Sequence, residues 1–286
     1  MATIEGRGGA DSIEVKSLDG QFSADLKIYG NARDGQGVPQ DGVDGDAATF
    51  SGSIDTRGGL LDVWVNTISV NENVHITAGD GGATLRARQV GLAELENLSP
   101  VLGSSRSVSI TVGKGAWISS TGPIYLIAQA SDQSFAELIG IGKEVDNYVI
   151  KPLAGKVEGL TAMPVKLLVK NASASISLGE GSKLLGVGTV GVYTTAEADA
   201  SGAAFGGLFS VGVGIATATS TVDIQKGVEI SSRDEAVVIT AGGGATASID
   251  THTERSLEGI RNPGSKQIAA SLAVSDAEYT SWVTVA

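Results

Sequence analysis

One repeated phrase constrains this chain more than any other feature. Residues 107–132 (SVSITVGKGAWISSTGPIYLIAQASD) overlay residues 173–199 (SASISLGEGSKLLGVGTVGVYTTAEAD) almost without gaps. Ile110 falls on Ile176, Gly115 on Gly181, Ile118 on Leu184, Gly122 on Gly188, Ile124 on Val190 and Leu126 on Val192. A third copy occupies residues 220–247, aligned with a two-residue deletion before Ile230 and a one-residue insertion after it. A fainter fourth covers residues 66–89, and a fifth begins at AASLAVSDAEYTSWVTVA. The step from Ile110 to Ile176 is 66 residues and from Ile176 to Ile224 is 48, so variable insertions separate constant units.

Each phrase reads as an alternating strand, a glycine turn, one inward aliphatic, a polar corner and a second alternating strand. Period-two alternation buries one face of a strand, and glycine tolerates the positive φ that sharp corners require. A unit this small cannot bury its own face; stacked on its neighbours it forms a continuous core. The expected fold is therefore all-β, a single-stranded, right-handed parallel β-helix with loop or short-helix insertions. Each coil would take about 20 to 25 residues, a phrase plus its return strand covering two coils. Ile118, Ile124 and Leu126 are expected to point inward, Gly115 and Gly122 to make corners, and Trp117 and Tyr125 to face outward.

The same reading gives one domain over residues 1–286. Residues 1–53 form N-terminal coils with an acidic glycine-rich loop, and residues 54–286 form the repeated coils. Insertions are placed near 91–105 and 133–165. Residues 93–98 read as one or two helical turns, and PVKLLVKN (164–171) reads as a returning strand. Loops that leave a solenoid tend to crowd one face and either build a binding surface or cover the sheet.

Composition narrows the partners. The 286 residues include 40 Gly, 6 Pro and no Cys, with 5% aromatics, which suits tight turns and thin layers and excludes disulfides and thiolate chemistry. The net charge of −12 opposes nucleic-acid binding, which needs a positive field. No basic stretch followed by an apolar one opens the chain, and no apolar run reaches the length of a membrane span. A secreted protein with this sequence would be an internal piece of something longer.

Two acidic segments suggest calcium. GRGGADSIEV (6–15) resembles one degenerate turn of the calcium-binding nonapeptide of RTX proteins, with Asp11 at the ligand position and Ile13 inward. NARDGQGVPQDGVDGDAATF (31–50) gathers Asp34, Asp41, Asp44 and Asp46 among glycines, enough hard oxygens for calcium. The segment lacks the EF-hand pattern, and a solvated turn is the competing reading. No cofactor is required.

The phrase itself, followed by AEADASGAAFGGLFSVGVGIATATSTVDI, resembles the repetitive regions of very large bacterial exoproteins of the filamentous-haemagglutinin-like and giant-adhesin kind. The resemblance runs from about residue 54 to the C-terminus. It implies secretion or cell-surface display and a structural or adhesive role. The implied partners are itself, neighbouring segments of a longer chain, glycans or other cell surfaces, without nucleic acid or membrane insertion.

Enzymatic motifs are sparse. His75 and His252 have no second histidine at metal spacing. Ser210 has no nucleophile elbow around it. GVGTVG (186–191) lies between two strands rather than before a helix, which rejects a dinucleotide site. No catalytic residue is assigned. The competing reading is a carbohydrate-active β-helix, a polysaccharide lyase, glycosidase or glycan-binding module. It would draw on Asp62, Glu72, Asp80, Arg86 and Arg88, with Trp64, Trp117, Tyr125 and Trp282 as stacking platforms, and hydrolysis would need two carboxylates on one groove.

Overall fold

A computed structural model describes residues 1–6, 9–30, 45–90, 101–132, 165–206, 209–253 and 270–286. Among them every regular element is a strand. The first circuits hold β1 (Ala2–Glu5), β2 (Ser12–Val15), β3 (Leu26–Tyr29), β4 (Ala47–Phe50) and β5 (Ile54–Asp55). Then come β6 (Leu61–Val65), β7 (Thr67–Val70), β8 (His75–Ala78), β9 (Ala83–Val90), β10 (Val101–Val112), β11 (Trp117–Ser120) and β12 (Ile124–Asp132). The last are β13 (Val165–Leu178), β14 (Lys183–Gly186), β15 (Val190–Gly206), β16 (Phe209–Ile224), β17 (Glu229–Ser232), β18 (Val237–Thr253) and β19 (Ala270–Val285).

From β6 onward the chain visits three sheets in rotation. The first sheet runs β1-β3-β6-β9-β12-β15-β18, the second β19-β16-β13-β10-β7-β4-β2, and the third β17-β14-β11-β8-β5. Every lateral pair is parallel, β9 with β12 and β10 with β13 among them. The fold is all-β with parallel sheets.

The repeat seen in the sequence is the lateral register itself. Ile110 pairs with Ile176, Ile118 with Leu184, Ile124 with Val190 and Leu126 with Val192. All but Ile176 are fully buried, and Ile176 is 1% exposed, so each inward aliphatic sits over another and the core is a set of columns. Trp117 faces outward and Tyr125 is half-buried on the outer face. Gly115 (φ 64°) shares its corner with Asn73 (φ 57°), Gly181 (φ 66°) and Gly227 (φ 74°), a column of left-handed residues that only Gly and Asn adopt cheaply. Backbone bonds tie that column together, from Asn73 N–H to Lys114 O and from Gly115 N–H to Glu180 O.

Three expectations need correction. Ile176 pairs with Val222, and Ile224 pairs with Leu178; the two-residue deletion before Ile230 is unnecessary. The one-residue insertion after Ile230 stands, since Leu184 meets Ile230 while Val190 meets Val237. One phrase visits all three sheets once by itself, rather than covering two coils together with a return strand, because β10, β11 and β12 occupy the second, third and first sheets in turn. The insertion placed at 91–105 ends earlier: Val101–Ser105 already run as strand against Leu167–Asn171. The returning strand expected at 164–171 is present as β13. The helical turns expected at 93–98 and the remainder of the 133–165 insertion lie outside the described residues.

The strands lengthen along the stack. β3 has 4 residues, β9 has 8, and β15 and β18 have 17 each; in the second sheet β4 has 4 and β16 has 16. The added length is lined by Ala172, Ala174, Ala196, Ala198, Ala200, Ala216 and Ala218, all buried. Small residues let the first and second sheets approach closely. A Cβ on Gly212 of β16 would lie 2.0 Å from Ile249 Cγ2 of β18, and one on Gly202 of β15 would lie 2.7 Å from Leu168 Cδ1 of β13. Large side chains of one sheet thus fill hollows left by glycines of the other.

Three substitutions test this packing. Ile124→Ala should lower unfolding free energy by about 2–5 kcal/mol, whereas Tyr125→Ser should cost markedly less. Gly212→Ala should cost about 1–3 kcal/mol through overpacking. Chemical denaturation of the three variants reads all of these, and equal losses for Ile124→Ala and Tyr125→Ser would reverse the inward and outward assignments.

Candidate functional site

The long connecting segments 31–44, 91–100, 133–164 and 254–269 all fall between a first-sheet strand and the following second-sheet strand. The strand ends at that junction carry most of the buried polar groups. In the early circuits Asp46, Asn66 and Gln89 are buried there. Asn66 Oδ1 accepts from Asp46 N–H at 2.7 Å, and Asn66 Nδ2 donates to Arg88 O at 2.8 Å, so one amide joins three circuits. Gln89 Oε1 accepts from Ser107 N–H at 3.0 Å. These side chains satisfy backbone groups at a corner where the sheet ladders stop.

Asp11 and Asp46, two of the expected calcium ligands, meet in this seam. Asp46 Oδ1 accepts from Asp11 N–H at 2.9 Å. The Asp46 carboxylate packs under Gly30, where a Cβ would fall 2.5 Å from Oδ2. Asp34, Asp41 and Asp44 lie outside the described residues. Among the described residues no group of three or more His, Cys, Asp or Glu side chains is placed to hold a metal ion.

Farther along, the seam holds charge. Asp132 ends β12, and Lys170 and Ser104 face inward from the neighbouring strands β13 and β10, where Ser104 pairs with Lys170. Lys170 Nζ donates to Ser104 Oγ at 2.9 Å and lies 3.5 Å from Asp132 Oδ1. The Ser104 hydroxyl lies 2.9 and 2.8 Å from the two carboxylate oxygens, and Asn171 N–H donates to Oδ2 at 3.3 Å. Both charged side chains are 1% exposed. Lys166, two inward positions before Lys170 on β13, is buried as well. Sequence reading missed Ser104, Lys166 and Lys170. The available signal was parity, since both lysines share the inward phase of Ile176 and Leu178.

The carbohydrate-site candidates divide. Asp62, Trp64, Arg86, Arg88 and Tyr125 all sit on the outer face of the first sheet, on β6, β9 and β12. Trp64 is the lateral neighbour of Arg86 and follows Tyr29 of β3. The Arg86 guanidinium stacks over the Trp64 ring at 4.6 Å and that of Arg88 lies at 5.5 Å. Asp62 Oδ2 accepts from the Tyr29 hydroxyl at 3.1 Å. Tyr193 of β15 extends the row, its ring lying over Gly191, which pairs with Tyr125. The Trp64 indole nitrogen is buried with no acceptor among the described residues.

The other candidates are elsewhere. Glu72 and Asp80 lie in exposed turns on either side of β8, and Trp282 is on β19. Trp117 stands on the third sheet, edge-on to His75 at 5.4 Å and 5.9 Å from Lys183 Nζ. Ser210 is buried with no partner for its hydroxyl among the described residues, and His252 lies on β18. Around the third sheet, ion pairs join successive circuits, Lys114 to Glu180 at 2.7 Å and Lys183 to Glu229 at 2.9 Å. The Lys114 ammonium, chiefly through its hydrogen bond, holds the Glu180 carboxyl below its ordinary range.

No known protein family, curated protein or solved structure matches the chain.

Asn66→Ala should cost about 1–3 kcal/mol, because it removes the side-chain acceptor of the buried Asp46 N–H and the side-chain donor to the Arg88 carbonyl. Guanidinium titration followed by circular dichroism measures it; an unchanged midpoint would show that the amide does not join the circuits energetically.

Proposed function

We propose that the chain is a segment of a right-handed parallel β-helix that serves as a stiff structural and adhesive stalk in a large secreted or cell-surface protein. The observation that carries this reading is the identity between sequence repeat and strand register. A phrase whose copies lie directly on one another is a stacking unit, and extending such a stack adds length without new chemistry. Resemblance to filamentous-haemagglutinin-like repetitive regions supports the extracellular setting. Calcium at Asp11, Asp46 and the neighbouring acidic loop belongs to the same proposal as a stabilising ion.

The exposed edge of β19 bears on assembly. Its residues are exposed along almost the entire strand, Leu272 by 57% and Trp282 by 48%, and an edge of this length with no further strand beside it among the described residues is a template for pairing. β1 and β2, at the opposite ends of the first two sheets, have 4 residues each against 16 in β19. Head-to-tail stacking of copies would leave most of β19 uncovered, so the better-matched partner is another long-stranded circuit.

A second reading, glycan binding, is favoured by the Trp64–Arg86–Arg88 stack. A planar aromatic flanked by guanidinium groups suits the ring faces and carboxylates of an acidic polysaccharide.

Negative-stain microscopy at rising protein concentration should show copies stacking into particles longer than one chain, and addition of calcium should raise the melting temperature. Particles that stay single at every concentration would overturn the stalk, and an unchanged melting temperature would remove the ion. Uronate polymers should bind in glycan arrays, and Arg86→Ala with Arg88→Ala should abolish that binding; wild-type protein silent on all acidic glycans would eliminate the second reading.

A further inference from the structure

We propose that Lys170 and Asp132 condense to an intramolecular amide, a covalent cross-link between the first and second sheets. The inference rests on the buried cluster alone and is independent of the stalk and glycan readings. Three features of the cluster point to it. The ammonium and carboxylate are both 1% exposed and lie 3.5 Å apart. Their inward neighbours along the strands, Leu168, Ala172 and Ala130, are buried and apolar. The Ser104 hydroxyl touches both reacting groups, 2.9 Å from Lys170 Nζ and within 2.9 Å of each Asp132 oxygen.

An ion pair in such surroundings carries a desolvation cost that its mutual attraction repays only in part. Condensation removes both charges. Lys170 Nζ forms a bond to Asp132 Cγ, and one Cγ–O bond breaks. Two of the three ammonium protons pass to the departing oxygen, which leaves as water, while the third stays on the amide nitrogen. The Ser104 hydroxyl, bonded at both ends, relays a proton and is regenerated. Charge and atoms balance without oxidant, reductant or activating group. Folding brings the partners together and supplies the proximity that a bimolecular condensation lacks, and exclusion of water protects the product from hydrolysis.

The placement has a mechanical consequence. Asp132 is the last residue before segment 133–164 and Lys170 lies on the first strand after it, so the amide would bridge that segment and keep the stack covalently continuous if it were cut.

Intact-mass measurement of the full chain after denaturation, followed by tryptic mapping, tests the proposal. The folded protein should be lighter than its sequence by one water. Trypsin should yield a branched peptide joining residues 115–143 to residues 167–183 through Lys170, with cleavage after Lys170 missing. Lys170→Arg preserves the charge and should restore the full mass. Full mass in the wild type, with Asp132 and Lys170 in separate linear peptides, would overturn the cross-link and leave an ordinary buried ion pair. Loss of water confined to a linear Asp132 peptide would also overturn it, since that marks cyclisation of the aspartate on its own backbone.

Discussion

Everything in this molecule depends on the parallel hydrogen-bond ladder between one circuit and the next. A parallel ladder holds equivalent residues at a fixed lateral spacing, so whatever one circuit places inward must find room beneath the corresponding residue of its neighbour. Ile110 over Ile176 and Leu126 over Val192 satisfy that rule with aliphatic columns. Asn73, Gly115, Gly181 and Gly227 satisfy it with a column of left-handed corners. A side chain suited to only one circuit would interrupt the column at that level, which explains why the phrase is conserved within the chain while the segments between copies vary.

The ladder fixes neighbours along the stack but leaves the distance between sheets free. That distance is set by side-chain size, and here the late circuits differ from the early ones. Around Phe50, Ile68 and Leu85 the interior is filled by large side chains, all fully buried. Around Ala198, Gly212 and Ala216 it is thin, with Ile249 and Leu168 occupying the hollows opposite Gly212 and Gly202. The buried lysines belong to this thin region, where a lysine stem lies along the alanines while its head reaches the junction seam.

Much of the strand pattern was legible because alternation and glycine position are local signals. The inward set Ile118, Ile124 and Leu126 and the corner at Gly115 follow from spacing alone. The third copy was misaligned by two residues for a physical reason: a slip of two preserves the inward phase, so Ile224 and Val222 were equally good partners for Ile176. Only a one-residue slip would have been visible. The junction seam was not legible, because Asp132 and Lys170 meet across a segment whose length says nothing about closure. Spacing offered Asp46 as a calcium ligand or as part of a solvated turn, but not its bond to the Asp11 N–H of the preceding circuit, because an aspartate among glycines looks alike whether it binds an ion or caps a backbone group. Of the carbohydrate candidates, the pattern placed Trp117 and Tyr125 outward, but did not show that Asp62, Trp64, Arg86 and Arg88 share one sheet while Glu72 and Asp80 do not.

The increase in strand length from 4 residues in β3 to 17 in β15 makes the joints between successive circuits unequal. Under tension across the ladders every joint carries the same load, but the number of hydrogen bonds sharing it grows from circuit to circuit. The end with short strands is therefore the place where the stack would begin to peel, and the circuits bearing Tyr29 and Trp64 would give way before those bearing the buried lysines.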